Sequence, residues 1–227
     1  VEGGIRYNPT LDWNGEDSFS YKITDGDIES TATVTVTVHP VNDLPEFVTN
    51  PANMSLTEDL ADGSSEFTVG DVETPAGSLD VTFVSSDNTT LVDSGDVTIT
   101  SGEGGVRTVV VNPNDNQNGT AYITLRVTDG NHGYVEYTFK VTVAEVNDAP
   151  VGNDTSGTID EDTSYTVAWG TLTSDVDIVT NGDSLGVTIT TQAAHGTAVV
   201  SGGNIVYTPN ADWNGEDRIV YTVTDSE

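Results

Sequence analysis

Carboxylates are the residues of this chain that could do chemistry: 37 Asp and Glu stand against six Lys and Arg, with three His and no Cys. Their spacing carries more than their number. The string Val41-Asn-Asp-Leu-Pro45 recurs as Val146-Asn-Asp-Ala-Pro150, and an acidic pair follows each copy at a matched distance. Asp71 and Glu73 lie 28 and 30 residues past Asp43, and Asp175 and Asp177 lie 27 and 29 past Asp148. Clusters of roughly six to eight hard oxygens with flexible geometry are what Ca2+ takes, whereas Mg2+ demands fewer protein oxygens in tighter octahedral order. Zinc, copper and iron lack suitable ligands, because His39, His132 and His195 are spread over different segments and there is no thiolate.

The charge balance sets the classes of partner. A net charge of −31 repels nucleic acid and anionic membrane surfaces and suits cations or a basic partner. No apolar run approaches the ~20 residues that span a bilayer, and the first residues lack a signal-peptide layout. Any export signal or anchor is expected outside residues 1–227. Catalytic strings are missing too: there is no His-Glu-x-x-His, no Gly-x-Ser-x-Gly and no phosphate-cradling glycine loop. A glycosidase would need two carboxyls across a cleft, which a thin sandwich does not offer. The expectation is a protein that is not an enzyme.

The elements that must position these acids repeat. IRYNPTLDWNGEDSFSYKITD from Ile5 returns as IVYTPNADWNGEDRIVYTVTD from Ile205, 200 positions on, and a weaker copy at an offset of 104 runs from Val109 through Asn118-Gly119 to Asp129-Gly130. An array with a unit of about a hundred residues follows. Period-two alternation places Phe19, Tyr21 and Ile23 on one face, as it does Ile123, Leu125 and Val127, Ile219, Tyr221 and Val223, and Val135, Tyr137, Phe139, Val141 and Val143. Turn signals at short spacing separate these strands, such as Asn14-Gly15, Asp25-Gly26 and Asn214-Gly215. The fold expected is all-β: tandem seven-stranded immunoglobulin-like Greek-key β-sandwiches arranged head to tail. Residues 44–148 form the one complete repeat, residues 1–43 supply three strands of a first, and residues 149–227 a third without its last strand.

Strand parity then sorts the loops. An odd number of strands brings the chain in at a leading end and out at a trailing end, about 33 Å apart for strands of about ten residues. At the first linker Asn42 and Asp43 should meet Asp12, Glu16 and Asp17 from the preceding repeat and Asp71, Glu73 and Asp129 from the following one. At the second, Asn147 and Asp148 should meet Glu58, Asp59, Asp175, Asp177 and Asp225. Solvated surface acids are the plain alternative, but solvation alone would not repeat them beside both Val-Asn-Asp-x-Pro strings.

Val-Asn-Asp-Ala-Pro, Asp160-Glu-Asp-Thr163, Ser174-Asp-Val-Asp177, His195-Gly-Thr and Tyr207-Thr-Pro-Asn-Ala-Asp-Trp-Asn-Gly-Glu-Asp217 resemble the cadherin-like tandem repeats of large bacterial surface proteins, RTX-type adhesins among them. That resemblance implies a Ca2+-stiffened extender of an extracellular adhesin or surface fibre, exported to the bacterial surface, with a cell-surface or glycan ligand bound elsewhere in the parent. It implies Ca2+ ligation by Asn42, Asp43, Asn147 and Asp148, by the strand-A acids Glu58 and Glu161, by Asp71 with Glu73 and Asp175 with Asp177, and by Asp129 and Asp225. The middle repeat replaces Asp12, Trp13, Glu16 and Asp17 with Asn116, Gln117, Thr120 and Ala121. A weaker site at 147–148 than at 42–43 is therefore expected. An insertion, residues 178–183, leaves the role of Asp183 open.

Two further readings come from the same residues. Trp13 and Trp213 are expected to plug the ends of their sandwiches rather than stack on sugar. A polysaccharide-binding module would show an aromatic row on an exposed face, whereas Phe19, Tyr21, Tyr137, Phe139 and Tyr221 alternate inward. The open edge at residues 219–224 could also take strand 30–41 from a further copy of the chain, making a filament by strand complementation.

Overall fold

The computed structural model describes residues 4–60, 62–177 and 184–226, so Asp183 and its insertion lie outside the described residues. Two compact units make up the chain: Val1–Met54, Gly63–Asn112 and Ala121–Val141 form one, and Ser55–Asp62, Pro113–Thr120 and Thr142–Glu227 the other. Almost all regular structure is strand, as the alternation requires.

In the first unit, β1 (Gly15–Thr24) and β2 (Glu29–Val38) make an antiparallel hairpin in the register Phe19 to Val34 and Tyr21 to Ala32. Its turn is closed by Asp25, whose Oδ1 accepts the N–H groups of Asp27 and Ile28 at 3.1 and 2.9 Å. Of the three strands expected in residues 1–43, the described residues 4–43 show these two, and residues 4–14 contain none. The equivalent segment of the middle repeat is held by a strand on each side, and residues 5–9 have neither. Tyr7 instead stacks beside Phe19, 6.4 Å between ring centroids. Without an opposing sheet the alternation does not bury its face, and Ile23 is 61% exposed.

The middle repeat is the sandwich expected. One sheet has the order β3 (Glu46–Thr49), β5 (Gly63–Gly70), β8 (Val106–Val111), β7 (Val97–Ser101); the other has β4 (Met54–Thr57), β10 (Tyr134–Ala144), β9 (Gly119–Thr128), β6 (Asp80–Ser86). The first strand is thus shared between sheets as β3 and β4. Pro51, without an N–H, falls where the chain leaves one ladder for the other. Ile123, Leu125 and Val127 of β9 face Phe67 and Val69 of β5 and Val109 and Val111 of β8 in the core, none more than 1% exposed. Each such side chain stabilises the fold by about 1.5–3 kcal/mol.

The third repeat is thinner. Its strands are β11 (Val151–Gly152), β12 (Tyr165–Ala168), β13 (Thr173–Ser174), β14 (Gly186–Thr191), β15 (Gly196–Ser201), β16 (Asn204–Pro209) and β17 (Val220–Thr224). They pair as β11-β13, β12-β16-β15 and β14-β17. A helical turn, Trp169–Leu172, interrupts what would be one strand and drops Leu172 into a core of Val187, Ala198 and Ile205. The Tyr221 hydroxyl donates to the carbonyls of Asn153 and Leu172, fastening β17 to the end of that turn and to the segment after β11.

Candidate metal centres at the two linkers

At the first linker the acids are tied by amides. Asn42 Nδ2 donates to Asp129 Oδ2 at 2.9 Å, and Asn131 Nδ2 donates to Asn42 Oδ1 at 2.7 Å. The Asp43 N–H donates to Glu73 Oε2 at 3.0 Å, while Asp71 Oδ1 accepts the N–H groups of Glu73 and Thr74 at 3.0 and 2.6 Å. Asp129, 7% exposed, also accepts the N–H groups of Asn131 and Gly133. The Asn42 amide holds its carboxyl below the usual range, with the two N–H groups adding to it and burial opposing. Gly133 is required here because a Cβ would collide with Asp129 Oδ2. Five expected residues therefore come together: Asn42, Asp43, Asp71, Glu73 and Asp129.

Asp12, Glu16 and Asp17 do not join them by any hydrogen bond. Asp17 is drawn back into its own repeat, where it accepts the Tyr7 hydroxyl at 2.9 Å and the Ser18 N–H at 2.7 Å. The third repeat explains the string. Asp217 accepts the N–H groups of Ala194, His195 and Arg218 and the Tyr207 hydroxyl, between 2.8 and 3.0 Å. Burial pushes its carboxyl up, but those four donors outweigh burial and leave it below the usual range. Trp213 stacks face to face on His195, 3.6 Å between centroids, and is half-buried, while Trp13 is 37% exposed. The shared Asp and Tyr thus close a turn.

At the second linker the acids crowd one another. Glu58, 3% exposed, accepts the Val146 N–H at 2.6 Å, and Asp148 donates its N–H to Asp177 Oδ2 at 2.7 Å. Asp177, 2% exposed, donates its own N–H to Asp175 Oδ1, and Asn147 Nδ2 reaches Asp225 Oδ2 at 3.2 Å. Burial pushes the Asp148 carboxyl up, and the charges of Asp59, Asp177 and Asp175 push it further. Asp59 accepts the N–H of Asn116 at 3.2 Å, both residues having a positive φ, 57° and 55°. The same pairing joins Asp162 to Asp212 in the third repeat. That places Glu161, beside Asp162, at the other end of its repeat from Asp175 and Asp177.

Asn116, Asn131 and Asp217 were not anticipated. In the sequence Asn116 is a lost charge, yet its backbone N–H is what fixes Asp59; only the three-dimensional pairing reveals this. Among the described residues no group of three or more Asp, Glu or His side chains is arranged to hold a metal ion. The donor chemistry nevertheless fits a hard cation. The Oδ2 atoms of Asp71, Asp148 and Asp175 are buried with no hydrogen-bond partner, and the ion pairs of the described residues, Lys22 with Glu29 and Arg126 with Glu136, involve none of these acids. Buried oxygens of one charge without a donor are costly until a cation meets them.

The sandwich and its acid-lined linkers define an immunoglobulin- and cadherin-like β protein. The chain belongs to the bacterial Ig domain family, whose model matches residues 1–38 and 147–227. No curated protein matches it in sequence. Among solved structures, cadherin domains 1–5 of protocadherin gamma B2 share the fold with a TM-score of 0.54 at 13% identity, over 94% of this chain and 45% of that one. Protocadherin gammaB7 EC3-6 gives 0.52 at 17%, over 97% and 59%. An endo-fucoidan hydrolase of glycoside hydrolase family 107 gives 0.39 at 21%, over 96% and 33%. The chain spans less than two thirds of each.

Proposed function

We propose that these repeats are Ca2+-binding structural extenders of an extracellular bacterial adhesin or surface fibre, of the RTX type, and that they carry no catalytic activity. One observation supports this most: Asp71 and Asp175, at matched positions of two repeats, each keep a buried Oδ2 without a donor. A bound Ca2+ supplies positive charge where the linker has none. Asp71, Glu73 and Asp129 with Asn42 and Asp43 would hold it at the first linker; Glu58, Asp59, Asp148, Asp175, Asp177 and Asp225 with Asn147 would hold it at the second. The acids do the rest, repelling one another into a hinge when unmatched and tying two repeats to one linker when matched. Extracellular display follows from this reading, since Ca2+ is abundant there.

The grouping of acids supports an affinity order opposite to that expected from the middle repeat's lost charges. Buried, mutually repelling carboxylates collect at Asp148, while the first linker is partly satisfied by Asn42 and Asn131. Chelation by EDTA should lower the melting temperature and shorten the particle in small-angle scattering; an unchanged profile would falsify Ca2+ stiffening. One observation favours a second reading, a polysaccharide-binding face. Tyr122 and Tyr134 are 48% and 51% exposed on the outward side of β9 and β10. Binding on a glycan array that survives EDTA would support it.

A further inference from the structure

Arg107 is a cation that hydrogen-bonds to none of the linker acids. It lies on β8, is 1% exposed, and is the largest fully buried side chain of the middle repeat. A buried guanidinium ordinarily meets a carboxylate. This one meets carbonyls: Nη2 donates to Leu79 at 2.8 Å and Ala76 at 3.1 Å, and Nη1 donates to Val106 at 3.0 Å. Ala76 and Leu79 bracket the 3-10 turn Ala76–Ser78, which ends the loop that begins at Asp71. That loop is held at its start by the bonds from Glu73 and Thr74 to Asp71, and in its middle Glu73 meets the Asp43 N–H. Its far end is held by Arg107.

We propose that Arg107 is a positioning residue for the first-linker cation set: its fork fixes the end of the 71–79 loop so that Asp71 and Glu73 face Asn42 and Asp43. This rests on the Ca2+ reading above. The guanidinium suits the task because its planar donors reach several carbonyls at once without flexing, which an ammonium does not do. At the second linker the sequence offers no arginine at the matching place. Aligning Pro113 with Pro209 puts Gly203 at the position of Arg107.

The test uses the full chain and Ca2+ alone, read by amide NMR signals of Glu73 and Asn131 for the first linker and of Asn147 and Asp177 for the second. Arg107→Met, which keeps the packed volume, should weaken Ca2+ binding at the first linker by about tenfold or more and leave the second unchanged. Arg107→Lys should recover part of the loss, and it serves in place of Arg107→Met should that variant fail to fold. In EDTA, hydrogen exchange at the Glu73 and Thr74 amides should speed up in both variants. Unchanged first-linker affinity in a folded variant, or an equal loss at both linkers, overturns the proposal. A wild-type chain that binds no Ca2+ overturns the parent reading instead, and the exchange measurement then decides the clamp by itself.

Discussion

At the scale of the residue, Asp148 and Asp217 show one side chain type set to opposite ends. Asp148 is surrounded by acids and its carboxyl is raised, so the folded state binds the proton more tightly than the unfolded chain does. Its contribution to stability is therefore present below the ordinary Asp range near pH ~4 and lost as pH rises through the raised value. In EDTA, Asp148→Asn should melt no lower than wild type at neutral pH, while with Ca2+ it should melt lower, as calorimetry can record. A lower melting point in both conditions would show that the carboxylate is structural. Asp217 works the other way. Its lowered carboxyl contributes stability above the ordinary Asp range that is lost as pH falls through the depressed value. Asp217→Asn should cost about 1–3 kcal/mol in denaturant unfolding at pH 7 and nearly nothing in strong acid. Asp217 sits in the same repeated string as Asp17, and sequence could not separate ligand from turn lock. The tyrosine hydroxyls that reach them, Tyr7 to Asp17 and Tyr207 to Asp217, mark both as turn locks.

At the scale of the element, strands were the legible part. Period two placed Ile123, Leu125 and Val127 inward, and all three are fully buried. Leu125→Ala should destabilise the middle repeat by about 2–5 kcal/mol, visible as a shift in the denaturation midpoint with the third repeat's signals unmoved. The same period failed for β1, because alternation marks a face and not the sheet that covers it. The split of β12 from β13 carried no signal in the alternation: the helical turn Trp169–Leu172 is set by the small core, which takes in Leu172. Loops obey stricter backbone terms. Gly215 has a φ of +142°, and an added Cβ would stand 3.0 Å from the Trp213 ring. Gly215→Ala should cost about 1–3 kcal/mol and free the Trp213 ring from His195, a change that Trp fluorescence would report.

At the scale of the molecule, charge dominates. With −31 spread over 227 residues, low ionic strength should destabilise the calcium-free chain, because the screening length grows from about 8 Å in physiological salt to about 30 Å at 10 mM. Calcium should raise the melting temperature more than NaCl of equal ionic strength; equal effects would indicate screening alone. Domain-scale repetition was plain in the sequence from the two Val-Asn-Asp-x-Pro strings, whereas the different satisfaction of the two linkers was not, since Asn42 and Asn147 sit in the same string and donate to matched carboxylates, Asp129 and Asp225, and what sets the first apart is the amide of Asn131 that Asn42 also accepts. The division of the first strand of the middle sandwich into β3 and β4 has a bearing on load. Its second half, β4, is the hydrogen-bonded neighbour of β10, the last strand of that sandwich. Tension entering near residue 46 and leaving near residue 144 therefore meets the bonds of β3 to β5 and then those of β4 to β10 before it can reach the core. A pull along the chain would load those short ladders, and not the packed interior, first.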